Sequence, residues 1–129
     1  MRLFSFIFCF AALFCPDVRA QTKIIAQVND DIISELDFQQ RLAFIRLTGQ
    51  ADTSRKDIRD RILKQLIDEK LKQQEARAAG IEVSDAEIKQ AVKITLQQNG
   101  LKYDEVMRTL KQNDLPVSVI EDQIKSDLL

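Results

Sequence analysis

Histidine and tryptophan are absent from this 129-residue chain, and cysteine, proline and glycine are scarce. Without histidine there is no imidazole base, no histidine metal ligand and no Ser-His or Cys-His nucleophile pair. The two cysteines, Cys9 and Cys15, both fall in the first twenty residues. The chain beyond them therefore has no thiolate, no structural zinc site of the usual kind and no disulfide framework, so packing must supply its stability. The three glycines, Gly49, Gly80 and Gly100, each stand where a helix should end, which leaves no loop to cradle a phosphate. Carboxylates are plentiful, but they are interspersed with lysines and glutamines in the manner of a solvated face. Ser34, Ser84 and Ser118 stand where helix caps are wanted. Catalysis has no visible seat; neither a metal nor a cofactor is expected, and the chain is not expected to be an enzyme.

What is present begins with a leader. Met1-Arg2 gives a short positive start, Leu3 to Phe14 is apolar except for Ser5, and Val18-Arg19-Ala20 offers small or aliphatic residues at −3 and −1. This is the pattern of a secretory signal peptide over residues 1–20, cleaved between Ala20 and Gln21. The apolar run falls short of the roughly 20 residues a membrane span needs. Phe14 before Cys15 lacks the small residue a lipid anchor requires. Removing the leader takes both cysteines and five of the seven phenylalanines, and leaves 17 basic residues (19 less Arg2 and Arg19) against 19 acidic (20 less Asp17), a net charge of −2. That balance, with both signs interspersed, gives no reason to expect nucleic acid or stable membrane association. Residues 21–129 form one domain in this reading, with one modest core rather than two.

The fold class read from the pattern is mostly α, a small N-terminal β-hairpin followed by about five helices. Lys23 to Val28 is β-prone, Ile32-Ile33 is its return strand, and Asn29-Asp30-Asp31 between them tolerate left-handed turn geometry. Ser34 opens a helix to about Leu47, with Asp37 completing a capping box weakened by the absence of Glu or Gln. Its apolar residues fall in two stripes, Phe38, Leu42 and Ile45 on one side and Leu36, Ala43, Phe44 and Leu47 on another. A surface helix needs only one, so this one is either sandwiched or offers a face to a partner. After a polar connector, with Thr53 or Ser54 as cap, a helix of roughly 35 Å runs from about Asp57 to Ala79. Its stripes are Ile58, Ile62 and Leu66, then Leu63, Ile67 and Leu71. Gly80 is placed for a left-handed C-cap with Ile81 as its apolar contact, and Ser84 with Glu87 is a full capping box. A third helix carries Ile88, Ala91, Val92 and Thr95 inward and stops at Asn99-Gly100. A fourth, from about Tyr103 to Gln112, carries Val106 and Leu110 and ends before Pro116. Ser118 is read as the cap of a last helix bearing Ile120, Ile124 and Leu128.

The stretch IIAQVNDDIISELDFQQRL resembles the beginning of the SurA-type periplasmic chaperones and their relatives, in which a strand leads through Ile-Ser into an Asp-bearing helix. LKQLIDEKLKQQEARAAGIEVSDAEIKQAV resembles the long helix, the Gly-Ile-x-Val-Ser-Asp corner and the next helix of the same superfamily, which includes the PrsA-type foldases. QQNGLKYDEVMRTLKQNDLPVSVIEDQIKSDLL is closer to the SurA branch. One departure is Lys102, where the family usually offers a capping threonine. Such chaperones normally continue into parvulin-type isomerase domains, whose sites use histidines, and then into a C-terminal segment that completes the N-terminal core. Neither is in this sequence.

The resemblance implies a periplasmic holdase that binds unfolded outer-membrane proteins or apolar peptide segments. Phe38, Leu42, Ile45, Leu36, Phe44 and Leu47 of the doubly striped helix are the candidate client-binding residues, the face of Phe38, Leu42 and Ile45 being expected to stay accessible. Two readings compete with it. One is a non-catalytic assembly module in which two copies pair as a homodimer; the other is a fragment of a longer SurA-like isomerase.

Overall fold

The computed structural model describes residues 23–49 and 57–129. The signal peptide, the Ala20–Gln21 cleavage point and the cap expected at Thr53 or Ser54 lie outside the described residues. Strands β1 (Ile24–Val28) and β2 (Asp31–Ser34) form an antiparallel hairpin. The expected three-residue connection is shorter: Val28 pairs with Asp31, so only Asn29 and Asp30 turn the chain. Asn29 takes the left-handed conformation, φ 52°, which asparagine adopts at little cost. A bulge between Ile24 and Ala26 breaks the register. Val28 and Ile33 are buried, while Gln27 and Ile32, cross-strand partners on the opposite face, are exposed.

The hairpin runs directly into helix α1 (Glu35–Thr48). Ser34 accepts the Asp37 backbone N–H at 3.1 Å, and Asp37 Oδ2 accepts the Ser34 backbone N–H at 2.7 Å. Aspartate thus completes both halves of the capping box that its short side chain was expected to weaken. Helix α2 (Ile58–Ala79) is the longest element, followed by α3 (Asp85–Gln98), α4 (Tyr103–Gln112) and α5 (Ser118–Leu128). Ser84 and Glu87 form the full capping box before α3.

Three helices end in the same way. The Ile81, Leu101 and Leu115 N–H groups reach back to the carbonyls of Ala76, Leu96 and Leu110 at 2.9 Å each. This is the Schellman closure, in which an apolar residue follows a left-handed one. At the third site the left-handed residue is Asp114, φ 53°, not glycine. The last helix departs from expectation: Val117 holds its cap position without a side-chain hydrogen bond, and Ser118 is the first helical residue. Its inward residues include Val119, while Leu128 is exposed.

The buried apolar side chains, Ala76 apart, fall into two clusters, not the single core expected for a chain of this size. The first joins Val28 and Ile33 of the hairpin to Phe38, Leu42 and Ile45 of α1 and Ile62 and Leu66 of α2. The second gathers Ile88, Val92, Leu96, Val106, Leu110, Val119, Ile120 and Ile124 from α3 to α5, with Phe44 inserted from α1. The two stripes of α1 have different fates: Phe38, Leu42 and Ile45 are buried in the first cluster, while of the second stripe only Phe44 enters the other cluster and Leu36 and Leu47 stay exposed. Burying each such side chain contributes about 1.5–3 kcal/mol.

A polar contact links the two halves. The Arg41 guanidinium of α1 donates to Glu69 of α2 through both terminal nitrogens, at 2.7 and 2.9 Å, and to Gln123 of α5 at 3.3 Å. Arg41 is 2% exposed and Glu69 6%. Glu69 is therefore not one of the solvated carboxylates that composition implied. The hairpin is tied to α2 separately: Gln74 donates to the Val28 carbonyl and to Asp31, and Arg77 donates to Asp31 at 2.8 Å. Among the described residues, no helix is long and apolar enough to cross a membrane.

Candidate functional site

The six residues proposed from sequence do not form one surface. Phe38, Leu42 and Ile45, expected to be accessible, are buried in the first cluster at 3%, 9% and 8% exposure. The hairpin and α2 close over them, and the Arg59 guanidinium lies 4.5 Å from the centre of the Phe38 ring. Phe44 is buried in the second cluster. Leu36 and Leu47 are exposed, at 61% and 42%.

Phe44 and Leu47 are brought together, at a groove between the end of α1 and one face of α4. The groove encloses about 160 Å³ and is completed by Thr48, Leu101, Lys102, Glu105, Val106, Thr109 and Leu110. Local structure explains each wall. The Schellman closure after α3 turns the chain at Gly100, φ 72°, and delivers Leu101 to the groove half-buried. Thr48 and Thr109 donate their hydroxyls to the carbonyls four residues back, Phe44 and Glu105, at 2.9 Å each. Their hydroxyls are thus satisfied within their own helices. Lys102 stands at the α4 cap position without capping it, and donates instead to Glu105 at 2.9 Å. The hydrogen bond to Glu105, then its charge, raises the Lys102 pKa above the ordinary lysine value. These two exposed residues are the groove's only ionic ones, and they pair with each other. The other walls are apolar side chains and two threonines with satisfied hydroxyls, which suits the groove to an aliphatic or aromatic side chain.

Elsewhere, two carboxyls at the hairpin and the start of α1 are held below their ordinary range. For Asp31 the causes are the Gln74 hydrogen bond, then Arg77; for Glu35 they are Gln39, then Arg59. Glu87 is lowered by its bonds to the Ser84 side chain and backbone. These are structural contacts. Among the described residues, no group of three or more histidine, cysteine, aspartate or glutamate side chains could hold a metal ion.

Comparison with known proteins completes the picture. The profile of the SurA-like N-terminal domain family matches residues 1–115. The chain belongs to this family. Among curated relatives, a protein named Chaperone SurA from Ralstonia nicotianae is 30% identical over 111 residues, which cover 83% of this chain and 22% of the relative. Chaperone SurA of Pseudomonas aeruginosa is 26% identical over 127 residues, 92% of this chain and 30% of the relative. The protein of that name from Hahella chejuensis is 27% identical over 116 residues, covering 87% and 27%. This SurA-like chain thus spans between a fifth and a third of the relatives it matches. No solved structure matches it significantly.

The buried pair of the SurA-like domain has a signal in the sequence. Arg41 sits inside the stripe Phe38, Leu42, Ile45, and Glu69 lies three residues beyond Leu66 on the inward side of α2. A charge within an apolar stripe at helical spacing calls for a buried partner. The α4 side of the groove had no such signal, because Leu101 depends on how α3 ends.

Proposed function

We propose that this chain is the client-holding domain of a periplasmic chaperone: it binds unfolded outer-membrane proteins through their apolar segments and does not catalyse prolyl isomerisation. The observation that carries this reading is the SurA-like family match over residues 1–115. The export signal read at residues 1–20 supports the compartment. The groove at Leu47 and Leu101 supports the mode of binding, since mainly apolar walls with a few polar groups accept apolar side chains from many sequences. The absence of histidine from the chain supports a holding role over a parvulin-type reaction.

Dilution of a urea-unfolded outer-membrane β-barrel protein into the purified, exported chain tests the reading by light scattering. Dose-dependent suppression of scattering is expected; no suppression by a well-folded sample rejects it. A second reading, an assembly module, is favoured by Ile24 and Ile32, which are exposed on the hairpin. Sedimentation of the same sample separates the two: a dimer indifferent to clients is an assembly module.

A further inference from the structure

The Arg41–Glu69 contact borders a second cavity, of about 70 Å³, where β2, α1, α2 and α5 meet. Arg41 spends both terminal nitrogens on Glu69 and Gln123, but its Nε–H is buried and has no hydrogen-bond partner. Buried donors are almost always paired, and leaving one unpaired is unfavourable. The cavity walls offer acceptors: the side chains of Gln40, Gln73 and Asp122 line it and hydrogen-bond to no other described residue. The floor is closed by buried Ile33, while Ser118 and Asp122 at the rim are exposed.

Charge narrows what can enter. The lining carries three carboxylates, Asp37, Glu69 and Asp122, and two cations, Arg41 and Lys70. An anion would meet the carboxylates, and a cation would leave Nε–H without an acceptor. The group that fits is neutral, with an acceptor oxygen for Nε–H and an N–H for a carboxylate or glutamine oxygen. The volume corresponds to about two water molecules at ~30 Å³ each, the space of one small amide.

We propose that the cavity beside Arg41 is a binding site for a neutral carboxamide, the chemistry shared by a main-chain peptide group and an Asn or Gln side chain. The Arg41 Nε–H donates to the amide oxygen, and the wall acceptors take its N–H. The inference extends the client-binding reading by naming the chemistry of a second contact, one blind to client sequence when the amide is main-chain. It rests on that reading only for the source of the amide.

The test is made on the uniformly ¹⁵N-labelled exported chain, following the Arg41 Nε–Hε cross-peak as acetamide is added, with acetate and methylammonium as matched controls. A saturable shift is expected with acetamide and only a small linear drift with the two ions. N-methylacetamide, which mimics the peptide group, distinguishes the sources: equal saturation assigns main-chain amides, and saturation by acetamide alone assigns side-chain amides. Gln40→Ala, a wall change away from the buried pair, is expected to weaken saturation several-fold while leaving the rest of the spectrum in place. Failure of acetamide to saturate, or an equal response to acetate, overturns the proposal. Because the readout is one resonance of Arg41, that failure is distinct from a failure to suppress client aggregation.

Discussion

Glu69→Leu removes both acceptors of a guanidinium that is 2% exposed and otherwise retains only Gln123 at 3.3 Å. Removing one member of a buried ion pair typically costs about 3–5 kcal/mol, because the remaining charge stays desolvated. A domain of this size has about 5–15 kcal/mol in total. With a urea slope near 1.5 kcal/mol/M, the unfolding midpoint should fall by roughly 2–3 M. The paired change Arg41→Met with Glu69→Leu should recover nearly all of this, since apolar replacement of a whole buried pair is commonly neutral or stabilising by about 1–4 kcal/mol. Urea titrations followed by circular dichroism on wild type, both single variants and the double variant close the cycle. The reasoning is refuted if Glu69→Leu costs less than about 1 kcal/mol, the range of an exposed pair. It is refuted equally if the double variant is as unstable as the single one, because the loss would then not come from an orphaned charge.

Acid should loosen the hairpin and the first turns of α1 and α3. Asp31, Glu35 and Glu87 have folded pKa values below their ordinary 3.8, 4.5 and 4.5, so their contribution is fully present above those values and is lost as pH falls through the lower folded ones. Urea midpoints at pH 7, 4 and 3 should decline in that order, and Asp31→Asn should flatten part of the decline. Ser34→Ala should cost about 1 kcal/mol by removing the α1 cap, whereas Ser118→Ala, which caps nothing, should stay within about 0.5 kcal/mol; chemical denaturation compares them directly. N-terminal sequencing of the chain recovered after export should begin at Gln21, and an intact Met1 would contradict the leader assignment.

Much of the fold was legible in local chemistry. The five helices follow from period-3.6 stripes punctuated by Ser34, Gly49, Gly80, Ser84 and Asn99-Gly100, and the structure places their ends within a residue or two of those signals. The errors came where tertiary contacts decide. The hairpin and α2 bury the Phe38 stripe, a consequence no single helix can announce. Ser118 has the composition of a cap, but Pro116 and Val117 already set the start of α5 and leave it inside the first turn. Two clusters form where one was expected because α1 gives Phe38, Leu42 and Ile45 to one and Phe44 to the other, and Arg41, pairing with Glu69 and Gln123, can sit between them without an unpaired charge. The groove combines both kinds of residue: Leu47 was legible as surplus apolar surface, while Leu101 needed the turn at Gly100.

The most direct test of client holding places a photo-reactive residue at position 47 and, as a control, at Ile94, which is comparably exposed on α3 and does not line the groove. Both variants are mixed with a urea-unfolded outer-membrane β-barrel protein on dilution and irradiated. The account predicts abundant crosslinks from position 47, few from position 94, and few from either when the barrel is already folded. Equal capture at the two positions, or none at 47, would contradict it.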